Sequence, residues 1–318
     1  MKHKPIIVTI GEILVEFVSH EQNCGLCKIS DYSGPYPSGA PAIFLDQAAR
    51  MGAVTEMIGG VGDDGFGRSI LRRLKADGVG THGVTVNAEH TTGVAFVSYY
   101  DDGTRDFIFH VTDTASDHFV MPNTLFDPAS AVLHVSAASL GNARMRDIII
   151  TTLRRVDKAG GKISCDPNAR PELMRDTAAH DALIEVMDRS TYLMPSTSDL
   201  KFLFPGLSET AAIDQLLRSK AEVVVIKRGA SGATVVSGEE RYEYKGHPVM
   251  EVDPTGAGDC FCGTFISLLA QGEALHDAAT QANAAGAIAV TRRGPMEGNS
   301  SPSEIAAFLE LRKSGNVA

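Results

Sequence analysis

Apolar residues recur along this chain with two different periods. Residues 5–11, Pro-Ile-Ile-Val-Thr-Ile-Gly, form a short, nearly continuous apolar run ending in glycine, the pattern of a strand buried on both faces of a parallel sheet. Small residues and Pro41 then lead into Ile43-Phe44-Leu45, Ala48-Ala49 and Met51, spaced for one face of a helix that stops at Gly52. A strand near Val54–Ile58 and a helix over Ser69–Lys75 follow. From 131 onward strands and helices alternate: Ala131–Val135 with 142–158, Lys162–Cys165 with 178–187, Thr191–Met194 with helices to 219, then Glu222–Lys227, a buried helix over Cys260–Leu269 and another over 274–290. That rhythm predicts an α/β fold with a doubly wound, mostly parallel sheet flanked by helices.

Two stretches break the rhythm. Residues 17–37 mix alternating apolar positions with Gly, Pro, Ser and Tyr, which suits edge strands or a flap. Residues 92–111 alternate around Asp101-Asp102-Gly103, a hairpin signature. A hairpin inside an α/β chain is an insertion. Together with 13–36 it predicts a small β-sheet lid over the carboxyl ends of the strands, able to keep water from a reactive phosphate. The expected division is a core of 1–12, 37–91 and 112–318 carrying an inserted lid of 13–36 and 92–111.

The densest chemistry lies at 249–265, Val-Met-Glu-Val-Asp-Pro-Thr-Gly-Ala-Gly-Asp-Cys-Phe-Cys-Gly-Thr-Phe. Pro254 stops the incoming strand, Gly256 and Gly258 permit positive φ and close backbone approach, and an apolar helix follows. Gly256-Ala257-Gly258 is therefore expected to form a helix N-terminus, whose free amides and partial positive charge attract phosphate oxygens. Asp259, next in the chain, is placed to accept a proton from an attacking hydroxyl while that helix end steadies a phosphoryl group. The same residues also suit an ordinary helix start with an acid favoured by the dipole.

Other polar groups fall at strand ends, where open α/β sheets gather their ligands. Glu12 and Glu16 follow the first strand, and residues 166–170, 196–199 and 227–232 follow three later ones. Residues 38–41 form a second helix start with little side-chain bulk, which a sugar could approach closely. Gly60, Gly62 and Gly65 make a formal Gly-x-Gly-x-x-Gly, but no acid stands about twenty residues on and Asp63-Asp64 would repel a pyrophosphate, which argues against dinucleotide binding. Val224-Val-Ile-Lys227 echoes a protein-kinase strand, yet His-Arg-Asp, Asp-Phe-Gly and Gly-Lys-Ser/Thr motifs are all missing from the sequence.

Charge and cysteine content narrow the partners. Lys+Arg 29 against Asp+Glu 39 gives a net charge of −10, which disfavours nucleic acid or an anionic membrane and favours a small polar substrate. No apolar run of about 18 residues and no signal peptide is present, so a cytoplasmic protein is expected. Five cysteines in 318 residues do not suggest a disulfide framework. Cys24-Gly-Leu-Cys27 lacks a second Cys/His pair for a zinc site, and Cys165, Cys260 and Cys262 sit in apolar company as core residues.

Four motifs in this order, Gly-Glu-Ile-Leu-Val-Glu (11–16), Gly-Val-Gly-Asp-Asp-x-Phe-Gly (60–67), Asp-Pro-Asn-x-Arg-Pro (166–171) and Asp-Pro-Thr-Gly-Ala-Gly-Asp (253–259), resemble the ribokinase-like (phosphofructokinase-B) sugar kinases over nearly the whole chain. The resemblance implies ATP as donor, Mg2+ on its phosphates, Asp259 as base and the 256–258 amides as anion hole. It further implies Glu16, Gly39, Ala40, Phe107 and Asn168 at the sugar, Arg170 towards the transferred phosphate, and Lys227, Gly229, Gly232 and Asn283 near the nucleotide. Asp253 and Thr255 correspond to a monovalent-cation loop suited to K+. Two departures stand out: the family's Gly-Gly-x-x-x-Asn is Ser38-Gly39-Ala-Pro-Ala-Ile43, and its Asn-x-x-Glu is Ser196-Thr-Ser-Asp199. Asp199 keeps a carboxylate able to organise Mg2+ through water.

The substrate implied is a neutral ketohexose of the tagatose or fructose type, which the Pro-Ser-Gly-Ala-Pro-Ala-Ile (37–43) and Gly-Glu-Ile-Leu-Val-Glu (11–16) runs resemble most; relatives acting on 2-keto-3-deoxy sugar acids carry an arginine where this lid ends in Phe109-His110-Val111, although His110 equally suits a lid-surface residue. A sugar-acid or nucleoside kinase is the nearer alternative. An NAD-dependent oxidoreductase and a sugar-binding regulator without turnover are the alternatives from other classes. An exposed lid edge also invites pairing into a homodimer.

Overall fold

The computed structural model describes residues 5–102, 104–169 and 176–313. In chain order its elements are β1 (Ile6–Ile10), β2 (Leu14–Ser19), β3 (Tyr32–Ser38), α1 (Ala40–Arg50), β4 (Val54–Gly62), α2 (Gly65–Ala76), β5 (Gly80–Asn87), β6 (Gly93–Tyr99) and β7 (Arg105–His110). There follow β8 (Ala131–Ser136), α3 (Ala143–Ala159), β9 (Lys162–Asp166), α4 (Thr177–Arg189), β10 (Tyr192–Leu193), α5 (Thr197–Leu203), α6 (Glu209–Leu216) and β11 (Val223–Lys227). The hairpin β12 (Gly232–Ser237) and β13 (Glu240–Lys245) and the helices α7 (Ala257–Ala270), α8 (Leu275–Ala289) and α9 (Pro302–Lys313) complete the set.

Nine strands make one sheet in the order β13-β12-β11-β10-β9-β8-β1-β4-β5. From β5 to β11 neighbouring strands run parallel, and only β12 and β13 are antiparallel. The chain starts in the interior at β1, builds outward through β4 and β5, then restarts on the other side of β1 at β8. The sequence order therefore reverses beside β1, and a crevice opens at such a point.

Successive side chains of a strand point to opposite faces, and the two cores divide accordingly. Ile7, Val132 and Val225 join Phe44, Phe261 and Phe265 on the α1/α7/α8 side, while Val8, Leu133, Val224 and Ile226 join Met145, Leu183 and Ile213 on the α3/α4/α6 side. Burial on both faces explains why these strands read as continuous apolar runs rather than alternating ones.

The glycines at 59–62 are part of β4, which runs four residues past the expected end. They serve packing: a Cβ on Gly60 would lie 2.0 Å from the Ala115 carbonyl oxygen, and one on Gly59 2.6 Å from that of Gly11. The helix start expected after this run is made by Asp64, whose carboxylate accepts from Gly67 N (2.8 Å) and also from Thr92 N (2.8 Å), tying α2 to the beginning of β6.

The small sheet has the order β3-β2-β6-β7, with β2 and β6 parallel and both flanking pairs antiparallel. Its strands come from the two stretches that broke the α/β rhythm. Phe17 stacks on Phe96 (5.4 Å) and meets Phe66 of α2 edge-on (5.9 Å), which fixes this sheet to the core. All five cysteines are free thiols, Cys24 buried and Cys27 exposed.

Candidate active site

The carboxyl ends of β1, β8, β9 and β11 and the amino end of α7 face one cleft of about 1150 Å3, walled on its open side by β2, β3 and β7 of the small sheet. The start of α7 forms part of its lining. Gly256 caps the helix at φ +79°, and a Cβ there would lie 2.3 Å from the Pro295 carbonyl oxygen, so glycine is demanded by conformation and by space. The helical ladder begins with Cys260 N donating to Gly256 O (2.8 Å), Ala257 N makes a long bond to Pro254 O (3.4 Å), and residues 256–259 line the cleft. Gly258 takes no positive φ; its lack of a side chain makes room for the Lys227 ammonium, which would stand 3.3 Å from a Cβ.

The loop feeding this helix is held by Asp253, a fully buried carboxylate. Thr255 N (3.0 Å) and Gly294 N (2.9 Å) donate to it, and so does the Tyr99 hydroxyl from β6 of the small sheet, which also meets Thr255 Oγ1. Burial and the neighbouring Asp253 push the Tyr99 phenol well above its ordinary range, keeping it a donor.

Asp259, in the first turn of α7, is 8% exposed and lines the cleft. Glu16 of β2 lines it too and accepts from Ser38 Oγ (3.3 Å). Gly39 and Ala40 begin α1 at the same wall, where Gly39 at φ +107° packs so near that a Cβ would lie 2.4 Å from Glu12 O. Glu12 accepts from Ser139 Oγ (2.6 Å), and burial raises its carboxyl above the usual range.

Lys227, at the end of β11, forms an ion pair with Asp166 at the end of β9 and lies 3.5 Å from Cys262 Sγ. Burial opposes the ammonium charge, but Asp166 and its neighbours outweigh it and hold the lysine protonated. Burial in turn lifts Asp166 above the usual carboxylate range and presses the Cys262 thiol well up, so the latter is no nucleophile. Under them, His134 stacks on Phe44 (3.6 Å) and is kept neutral by burial and by Lys227.

Of the residues singled out in the sequence, Glu16, Gly39, Ala40, Phe107 and Asn168 all line the cleft. Lys227, Gly229, Gly232, Asn283 and the 256–259 turn line it as well, as do Asp199 and Thr255. Asp253 lies beneath this surface rather than on it. Arg170 falls outside the described residues. Asp199 is largely spent on structure: its oxygens accept from Ala169 N (2.8 Å), Ser196 N (2.7 Å) and Ser196 Oγ (2.6 Å), closing a capping box on α5.

His110 is a surface residue of the small sheet. In β7 the side chains of Arg105, Phe107 and Phe109 face the cleft, so by alternation His110 faces away from it and carries no information about the substrate. The sequence reading missed Arg105, whose guanidinium stands over the Phe107 ring at 5.3 Å, although the period-two pattern around Phe107 contained that signal. It also missed Tyr99, which nothing in the local sequence marks.

Residues 5–302 match the pfkB family of carbohydrate kinases. The chain belongs to that family and is an ATP-binding phosphotransferase with an alcohol group as acceptor. Among known proteins, a fructokinase of Salmonella typhimurium is 30% identical over 279 residues, 82% of this chain and 87% of that one. The crystal structure of a candidate ribokinase II from E. coli in complex with ATP and Mg2+ superimposes with a TM-score of 0.88 at 40% identity, covering 96% of this chain and 99% of that one. A fructokinase double mutant from Vibrio cholerae O395, in its fructose, ADP and potassium ion bound form, gives 0.82 at 25% identity, covering 96% and 98%.

Proposed function

We propose that this chain transfers the γ-phosphoryl group of ATP to a hydroxyl of a neutral ketohexose of the fructose or tagatose type. The observation that carries the proposal is that Asp259 and the 256–258 turn line the same cleft as Glu16 and the α1 start, while the sequence relatives include fructokinases. In this scheme the sugar lies against Glu16, Gly39, Ala40, Phe107 and Asn168. Asp259 accepts the proton of the attacking hydroxyl, and the helix amides with Lys227 beneath them take up the charge of the moving phosphoryl group. Arg170 approaches the same phosphate. The nucleotide extends past Gly229 and Gly232 towards Asn283.

The donor set fits Mg2+ held mainly by phosphates and waters, with Asp166 and Asp199 as the carboxylates for those waters, since both already carry protein donors or a lysine. When bound, Mg2+ supplies charge neutralisation on the phosphates. Asp253 and Thr255 are hard oxygen donors that would hold K+, and among the described residues no lysine or arginine pairs with the buried Asp253. A sugar acid is the second reading, favoured by Arg105 in the cleft wall.

ADP release with a panel of ketohexoses, aldohexoses, nucleosides and keto-acids tests the proposal. A ketohexose should be the best acceptor, and a panel led by a keto-acid would transfer the assignment to the second reading. Asp259→Asn should lower kcat about 10²- to 10⁴-fold with ATP affinity kept; a variant turning over normally removes the base from Asp259. The free edge of β7 also supports a homodimer through the small sheet, and a monomer in sedimentation at micromolar concentration would reject it.

A further inference from the structure

The small sheet is attached to the large one where β5 leads into β6 and where β7 leads back towards β8, and the two connections meet at a cluster of three side chains. His90 lies in the first connection; Asp113 and His118 lie in the second. The two imidazoles stack with centroids 3.6 Å apart and planes at 18°. Asp113 Oδ1 stands 2.8 Å from His118 Nε2 and 3.7 Å from His90 Nε2. One ligating atom from each of the three lies within 4.8 Å of the others.

The tautomer of His90 is fixed by its neighbour. Asn87 Oδ1 accepts from Glu89 N (2.8 Å) and His90 N (2.9 Å), so that atom is the amide oxygen. The same oxygen lies 3.3 Å from His90 Nδ1, which must then be the protonated nitrogen, leaving the lone pair on Nε2. His90 Nε2 lies 3.7 Å from Asp113 Oδ1, and His118 Nε2 donates its proton to that same oxygen at 2.8 Å, so a cation entering here would replace that proton and draw the stacked rings out of their parallel planes. Asn87 Nδ2 also donates to His118 O (3.3 Å), so one side chain orients both histidine segments. Asp113 is held by a left-handed backbone, φ +58°, with its N–H donating to Asp117 Oδ2 (2.6 Å).

We propose that His90, Asp113 and His118 form a binding site for a divalent transition-metal ion of the Zn2+ or Co2+ type, with water completing the coordination. Metal–ligand distances of about 2.0–2.1 Å in a tetrahedron imply ligand–ligand edges of about 3.3 Å, and the two nitrogen–oxygen edges of 2.8 and 3.7 Å straddle that value. Two imidazoles and one carboxylate suit such an ion better than Mg2+ or Ca2+. Asp113, 81% exposed, leaves the site open to solvent for the remaining ligand. The ion would join the two connections of the β6–β7 hairpin beside Ser116 and Asp117, which line the cleft, and so stiffen the hinge of the small sheet. The site is separate from the phosphate-bound Mg2+ and independent of which sugar is used.

The test is Co2+ and Zn2+ binding to the chelator-treated full chain, by equilibrium dialysis with metal analysis and by visible absorption of Co2+. One equivalent should bind, with a rise in Tm. His90→Gln and His118→Gln should each weaken binding at least tenfold, and the double variant should lose both the equivalent and the Tm rise. Cys24→Ser/Cys27→Ser should bind as the parent does, and Tm without metal should be near that of the parent in every variant. No stoichiometric binding to the parent, binding that survives in the His90→Gln/His118→Gln double variant, or binding lost in the cysteine variant would each overturn the site.

Discussion

Lys227→Met gives a sharp test of how the floor of the cleft is built. The lysine is 13% exposed and its partner Asp166 3%, so the pair is shielded from water. Methionine keeps the length of the side chain and deletes the charge. Asp166 would be left with the Asn168 amide (3.1 Å) and the Cys262 thiol (3.5 Å) as its neutral donors. Removing one partner of a buried ion pair costs about 3–5 kcal/mol, and chemical denaturation at pH 8 should show a loss in that range. Without Lys227 the folded-state pKa of Asp166, already raised by burial, rises further above the unfolded value. The folded variant then binds more protons than the unfolded chain, so its stability grows as pH falls, with a slope bounded by about 1.4 kcal/mol per unit. The deficit against the parent should therefore shrink towards pH 5, and Lys227→Met/Asp166→Asn should recover much of it at pH 8. A loss below about 1 kcal/mol with no pH dependence would refute the buried-pair account.

Two further changes probe other parts of the molecule. Gly256→Ala forces a side chain into φ +79° and against the Pro295 carbonyl oxygen at 2.3 Å, and should cost upwards of about 1–2 kcal/mol together with nucleotide affinity, read by denaturation and calorimetry. Asp46, fully buried between Asn299 (2.7 Å) and Arg50 (3.3 Å), has its carboxyl pushed up to about 7, mainly by burial. Its stabilising contribution is full below the unfolded pKa and is lost as pH rises towards 7. The parent should accordingly lose stability relative to Asp46→Asn over that window, at up to about 1.4 kcal/mol per unit; a flat difference in urea midpoints would remove Asp46 as a titrating group.

The central strands and the start of α7 were legible because burial on both faces and a helix terminus leave local marks: apolar runs, and glycines followed by an acid. The hairpin β12–β13 was not assigned from the sequence, although Glu-Arg-Tyr-Glu-Tyr-Lys alternates plainly. β5 is half-polar and sits at the sheet edge, so it lacks the apolar run that betrays an interior strand. The contacts that organise the cleft floor were out of reach. Lys227 and Asp166 are 61 residues apart, Tyr99 and Asp253 154, and no local period records such pairs. Likewise Gly60 of β4 answers to the Ala115 backbone, a neighbour visible only once the chain has folded.

The order reversal beside β1 has a practical corollary. Groups facing the proposed acceptor come largely from residues 12–40 and 105–117, whereas those facing the proposed donor come from 227–290. Acceptor preference should thus be transplantable between homologues by exchanging amino-terminal segments, with the phosphate-handling machinery inherited unaltered from the recipient.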